Sequence, residues 1–147
     1  MGKIIIANDH SSVELKKRIA SWLTSKGYEV VNVGTDIEES VDYPDMAETA
    51  CKLFLEGGYD FGILFCGTGI GISISANKIK GIRCALIHDA YSAKMSKLHN
   101  DANFIAFGGR VEYNESIETM IEAYCSTSFE GGRHKRRVDK MNSLDDK

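Results

Sequence analysis

Read for apolar and polar positions, the chain alternates five times between short apolar runs and longer stretches with helical spacing. Lys3 to Asn8 (KIIIAN) predicts a strand that stops at Asp9-His10. Ser11 or Ser12 then caps a helix with apolar positions Leu15, Ile19, Trp22 and Leu23, closed by Gly27. Tyr28 to Val33 predicts the second strand, and Gly34 to Asp42 a polar loop carrying Asp36, Glu38 and Glu39. Pro44 suits the first turn of a second helix, whose buried face is Met46, Ala47, Ala50, Leu53 and Phe54 and whose end is Gly57-Gly58. Phe61 to Cys66 is the third strand, followed by glycines and a helix from about Ile72 to Ile79. Ile82 to Ile87 predicts strand four, Ala90 to Leu98 a helix, and Asn103 to Phe107 strand five. Ile117, Met120, Ile121 and Tyr124 mark the last long helix, and Glu130-Gly131-Gly132 separates it from a basic segment.

Strands that alternate with helices in this way specify a parallel sheet covered on both faces, the α/β class. The expected architecture is a Rossmann-like three-layer αβα sandwich with five parallel strands. All strand ends then share one edge: Asp9-His10, Gly34-Thr35, Cys66-Gly67-Thr68, His88-Asp89 and Gly108-Gly109-Arg110.

Composition changes this picture little. At 147 residues, 43% hydrophobic and 27% charged, the chain is expected to form one domain over residues 1–141, with the basic segment 133–141 inside it. Residues 142–147 are expected to be a disordered tail. A formal net charge of -3 argues against a general nucleic-acid binder. No apolar run is long enough for a membrane span and no signal pattern opens the chain, so the expectation is a soluble cytoplasmic protein with neither nucleic-acid nor membrane partner. The four cysteines are widely spaced, without the Cys/His spacing of a zinc finger, and no metal site is expected. Cys51, Cys84 and Cys125 fall inside predicted elements and read as packing residues.

Cys66 differs, because it ends a strand and is followed by Gly67, Gly69 and Gly71. A glycine turn leading into a helix presents N–H groups to an anion and favours a thiolate beside it. Such a thiol could abstract a proton or attack a carbonyl, and the same N–H groups would stabilise an oxyanion. The glycines imitate a dinucleotide fingerprint, but Ile72 stands where a further spaced glycine belongs, the loop follows the third strand, and no Lys-Ser/Thr follows it. A nucleotide-binding regulator is therefore disfavoured. His99 ends a helix, where it either favours the helix dipole or serves as acid or base, and Asp9-His10 has a capping reading of equal standing. Arg133 and Arg137 are four apart and, on a helix, can share one phosphate.

Together NDH at 8–10, SVDYPD at 40–45, CGTGIGISISANK at 66–78, HDAYSAK at 88–94, HNDAN at 99–103, GGR at 108–110 and FEGGRHKRRV at 129–138 resemble the type B ribose-5-phosphate isomerases over nearly the whole chain. The wider family includes allose- and galactose-6-phosphate isomerases. The resemblance implies a homodimer or homotetramer acting on a phosphorylated sugar, with active sites between subunits. It gives Cys66 the role of the base moving a proton between C2 and C1. The N–H groups of Gly67, Gly69, Ile70 and Gly71, with Asn100, would hold the enediolate, supported by Thr68. Asp9 and His99 match ring-opening positions, with Tyr43 close to that step. His10, Arg133 and Arg137 match phosphate ligands, and Arg110 is a further candidate. Some members use a carboxylate base instead, and Cys66 with Ser73 places this chain in the thiol group. Such chemistry needs no metal or redox cofactor. The competing expectations are a hexose-6-phosphate isomerase of the same family and a non-catalytic sugar-phosphate binding subunit.

Overall fold

The computed structural model describes residues 2–147. Five strands, β1 (Lys3–Asn8), β2 (Glu29–Asn32), β3 (Phe61–Cys66), β4 (Cys84–Leu86) and β5 (Phe104–Gly108), form one sheet in the order β2-β1-β3-β5-β4. Every pairing is parallel. The helices are α1 (Val13–Ser25), α2 (Tyr43–Leu55), α3 (Ile70–Asn77), α4 (Ala90–Leu98), α5 (Ile117–Cys125) and α6 (Arg133–Ser143).

Alternation along the strands builds two cores. Ile4 and Ile6, Ile63 and Phe65, and Ile105 and Phe107 face one side, where Ile19 and Leu23 of α1, Ala93 of α4 and Met120 and Ile121 of α5 pack on them. Ile5 and Ala7, Leu64 and Cys66, and Phe104 and Ala106 face the other, under Ala47, Ala50 and Cys51 of α2 and Ile72 and Ala76 of α3. This is the three-layer αβα sandwich expected from the pattern. Strands buried on both faces read as continuous apolar runs, which is why β1, β3 and β5 are so plain in sequence.

Three elements differ from expectation in length or by two residues at an end, β2 among them, which spans Glu29–Asn32 rather than Tyr28–Val33. β4 spans three residues rather than six, because it is the edge strand and is paired only with β5. On its open side the amide of Asn77 takes the place of a neighbour, with Cys84 N donating to Oδ1 at 2.7 Å and Nδ2 donating to Cys84 O at 2.8 Å. α3 starts at Ile70, two residues early, because Gly69 makes the turn with φ 79°.

The expected disordered tail is instead structured. Asn142 and Ser143 complete α6, and Leu144–Asp146 form a 3-10 turn. Lys80 pairs with Asp146, Gly81 N donates to Asp145 Oδ2 at 2.9 Å, and Arg83 Nη1 donates to Asn142 Oδ1 at 3.1 Å. The polar tail finds its partners in the turn before β4, a long-range match that local composition does not reveal. No helix is long and apolar enough to cross a membrane among the described residues.

Gly62 of β3 lies opposite Phe104 of β5, and a Cβ at Gly62 would come within 2.1 Å of the Phe104 ring. Gly62→Ala should therefore destabilise the fold by about 1–3 kcal/mol in urea unfolding. Combined with Phe104→Leu, which makes room, it should cost clearly less than the sum of the two single changes. Strict additivity would reject this packing account.

Candidate active site

The strand order reverses between β1 and β3, since β1 crosses to β2 on one side and β3 crosses toward β4 on the other. Crevices at such reversals, beyond the carboxyl ends of the strands, are where open α/β sheets bind ligands. At this point Asp9 N donates to Phe65 O at 3.1 Å, and Gly109 N donates to Cys66 O at 2.8 Å. The ends of β1, β3 and β5 thus stand side by side, with Cys66 in the middle.

Cys66 is 4% exposed. Its Sγ accepts a hydrogen bond from Gly69 N at 3.2 Å, so the thiol sits at the start of α3. Only glycine serves at position 69: φ is positive, and a Cβ would meet Leu86 Cδ1 at 2.8 Å and the Phe107 carbonyl carbon at 2.9 Å. Thr68 Oγ1 accepts from Ile70 N at 3.2 Å. Two of the loop's N–H groups are therefore engaged internally, whereas Gly71, second in the helix, has no intrahelical acceptor by its position. Tyr43 lies over Gly71, its ring 2.6 Å from where a Cβ would be.

Around the thiol, Asp9 is buried and caps the turn at His10–Ser12, its Oδ1 accepting from Ser11 N at 3.0 Å and Ser11 Oγ at 2.5 Å. Oδ2 makes no hydrogen bond among the described residues. His10 Nδ1 lies against the Val41 backbone, 3.1 Å from its N and 3.2 Å from its O, which holds the ring in place through that nitrogen. Arg110 N donates to Gly67 O at 2.9 Å, and its exposed side chain lies beside Gly67, with Nη1 3.7 Å from a Cβ placed there. Asp9, His10, Tyr43, Cys66, Thr68, the glycine loop and Arg110 thus share one edge of the sheet.

The remaining candidates do not join them. α4 starts beyond the carboxyl end of β4 and runs back, so His99 and Asn100 lie at the opposite edge. There Asn100 O accepts from Arg83 Nε at 3.1 Å, just before β4 and β5 begin. The edges are separated by about five residues of strand, roughly 16 Å. His99 stacks on His134, ring centroids 4.1 Å apart and planes within 9°. Arg133 and Arg137, both exposed, lie one turn apart at the start of α6.

The pattern does not single out several supporting residues. Ser12 Oγ donates to Cys66 O at 2.9 Å, and Gly108 N donates to the Tyr113 hydroxyl at 2.8 Å. Burial pushes the Tyr113 phenol up from its ordinary value. Lys16, 1% exposed on an otherwise amphipathic helix, reaches Thr35 O at 2.9 Å and pairs with Asp36. That bond, followed by one from Asn32, holds the Asp36 carboxyl below its ordinary value. The Lys16 contact straps down the loop that presents Val41 to His10 and leads to Tyr43. Its only sequence signal is a lysine one position after Leu15 on a face that is otherwise apolar.

The model of the Ribose/Galactose Isomerase family matches residues 4–141. The chain belongs to that family. Ribose-5-phosphate isomerase B of Escherichia coli is 41% identical over 145 residues, covering 99% of this chain and 97% of that protein. The solved ribose-5-phosphate isomerase B of Clostridium thermocellum superposes with a TM-score of 0.94 at 44% identity, covering 98% of this chain and 97% of that one. That of Thermotoga maritima gives 0.93 at 44% identity, covering 97% and 98%. The buried thiols Cys51 and Cys84 share the layer under α2 and α3 with Cys66 but lack its contact with the glycine-loop N–H, and burial pushes Cys51 up to about 12 and Cys84 up as well.

Because Asp36 is exposed, the Lys16 strap contributes about 1 kcal/mol after solvent screening. Lys16→Met should accelerate hydrogen exchange of the Val41 amide about fivefold while leaving the β3 amides unchanged. Equal protection of Val41 in both proteins would rule the strap out.

Proposed function

We infer that the chain interconverts ribose 5-phosphate and ribulose 5-phosphate through an enediolate, an aldose–ketose isomerisation. The observation that carries this reading is the Cys66 thiol held by the Gly69 N–H at the β1/β3 reversal, in a chain 41% identical to a ribose-5-phosphate isomerase B. A thiol at a helix start, flanked by N–H donors, suits removal of the acidic proton α to a carbonyl and its return to the neighbouring carbon.

In the proposed sequence the sugar phosphate is held by Arg133, Arg137 and His10, with Arg110 beside them. Asp9, through the oxygen not used in capping, and His99 open the furanose ring, with Tyr43 closing over the sugar. Cys66 takes the C2 proton, and the loop donors, Gly71 among them, with Asn100 hold the enediolate oxygens. Thr68 keeps the loop in register by accepting the Ile70 N–H. Anchoring the phosphate away from the reacting carbons restricts the pose and lowers the entropic part of the barrier.

This scheme requires two copies of the chain. Within one copy Cys66 and His99 stand at opposite edges of the sheet, too far apart to touch one pentose. A two-fold dimer in which each copy offers its Cys66 edge to the other's His99 edge brings them together twice. Exposed Ile70, Ile74, Leu86 and Val111 around the glycine loop supply an apolar surface for such a contact.

Cys66→Ala should lower kcat by about 10²–10⁴-fold while sugar-phosphate binding persists, and near-normal turnover would remove Cys66 as the base. Arg133→Ala should act mainly on KM. Mixing Cys66→Ala with His99→Ala protein and allowing exchange should restore about a quarter of wild-type activity, because half the dimers are mixed and each holds one intact site. No recovery despite verified exchange would place both residues in one copy's site. The family name spans pentose and hexose substrates, so kcat/KM for ribose 5-phosphate should exceed that for allose 6-phosphate; the reverse order would reassign the sugar.

A further inference from the structure

We propose that His99, Glu130 and His134 form a three-ligand site for a zinc-like divalent cation, and that an ion bound there stops turnover by occupying His99. The second half rests on the ring-opening role given to His99 above; the binding site itself does not.

One donor atom from each of the three residues lies within 4.8 Å of the others. Glu130 Oε2 is 3.7 Å from His99 Nε2 and 3.6 Å from His134 Nε2. A tetrahedral ion with bonds of 2.0–2.2 Å places its ligand atoms about 3.3–3.6 Å apart, so the carboxylate is already within a few tenths of an ångström of that spacing. The frame is fixed by backbone bonds: Glu130 N donates to Leu98 O at 3.0 Å, His99 N to Met95 O at 2.9 Å, and His134 N to Gly131 O at 3.0 Å.

A second, independent observation points to a ligand. The His134 side chain is 8% exposed, and its Nε2 is buried without a hydrogen-bond partner. Buried polar atoms of this kind are rare and call for a partner.

The histidine rings are parallel, so their in-plane lone pairs run side by side and do not yet converge. Closing the site requires one ring to turn, and His99, whose side chain is 38% exposed, is the one with room. Turning it onto the ion removes it from the sugar. Two imidazoles and one carboxylate select zinc, cobalt, nickel or copper over magnesium and calcium. Arg133 and Arg137 oppose a cation nearby, which keeps binding modest. The site uses no cysteine, which is why cysteine spacing does not reveal it.

The test uses full-length protein stripped with a chelator and titrated with Co²⁺, whose visible absorption reports tetrahedral nitrogen and oxygen ligation. Wild type and Cys66→Ser should bind one ion per chain with similar affinity. His134→Gln and Glu130→Gln should each weaken binding by about tenfold or more. Glu130 is half-exposed on a loop, so its variant guards against misfolding of the other. Zn²⁺ should inhibit wild type reversibly, and His134→Gln should remain active and resist inhibition. Absence of Co²⁺ binding at millimolar metal, loss of it in Cys66→Ser, or wild-type binding by both ligand variants would overturn the site. Intact Co²⁺ binding without Zn²⁺ inhibition would overturn the inhibitory half alone, and with it the demand placed on His99.

Discussion

Strand β3 is hydrogen-bonded to β1 on one side and β5 on the other, and it carries no polar side chain before Cys66. Its register decides where the thiol lies. A slip of one residue would turn Ile63 and Phe65 out of one core and Leu64 out of the other, and would carry Cys66 to the opposite face. Two apolar layers therefore fix a single sulfur atom. The backbone then reads that position out: Phe65 O receives the Asp9 N–H and Cys66 O receives the Gly109 N–H, so the three strand ends are aligned by the same ladder that builds the core. The same hydrogen bonds hold the core and position the thiol, so changes that loosen β3 should also displace Cys66.

The two edges of this sheet play different parts. At the carboxyl edge, short loops after β1, β3 and β5 converge on Cys66, whereas the other edge collects the C-terminal end of α4 and the start of α6. A parallel sheet imposes this division, because every helix must return the chain to the edge from which the next strand starts. Residues at the two ends of one helix, such as Asp89 and His99 on α4, cannot face the same ligand. The proposed site draws on both edges, and on this topology it would be completed by a second copy of the chain.

Much of this was legible in sequence, and unevenly so. β1, β3 and β5 are buried on both faces and announce themselves as apolar runs, and the thiol followed by glycines marks the edge where chemistry gathers. β4 looks longer in sequence than it is because an edge strand keeps the composition of a central one while losing half its partners. The tail looks disordered in sequence because Asp145 and Asp146 resemble solvated charge until the Lys80-Gly81 turn, more than sixty residues away, is placed beside them. The Lys16 strap and the His99–His134 stack are hidden for the same reason. Each joins residues far apart in the chain, about 20 and 35 positions, and neither side chain departs from its local pattern strongly enough to be noticed.

Several residues serve two ends at once. Asp9 caps a turn with one oxygen and leaves the other without a hydrogen bond among the described residues, Thr68 secures the loop by accepting the Ile70 N–H, and the Gly69 amide that starts α3 also binds the thiol. A capping reading and a catalytic reading are commonly weighed as rivals, but a carboxylate has two oxygens and a capped turn needs only one. The structural bond is what makes the second oxygen useful, since a side chain locked by one hydrogen bond presents its other atom at a fixed position and loses little entropy when substrate arrives. The same reasoning applies to His10, where the Val41 backbone holds one ring nitrogen and thereby sets the position of the other. In this chain the groups that hold the loops in place are the groups that would meet the sugar.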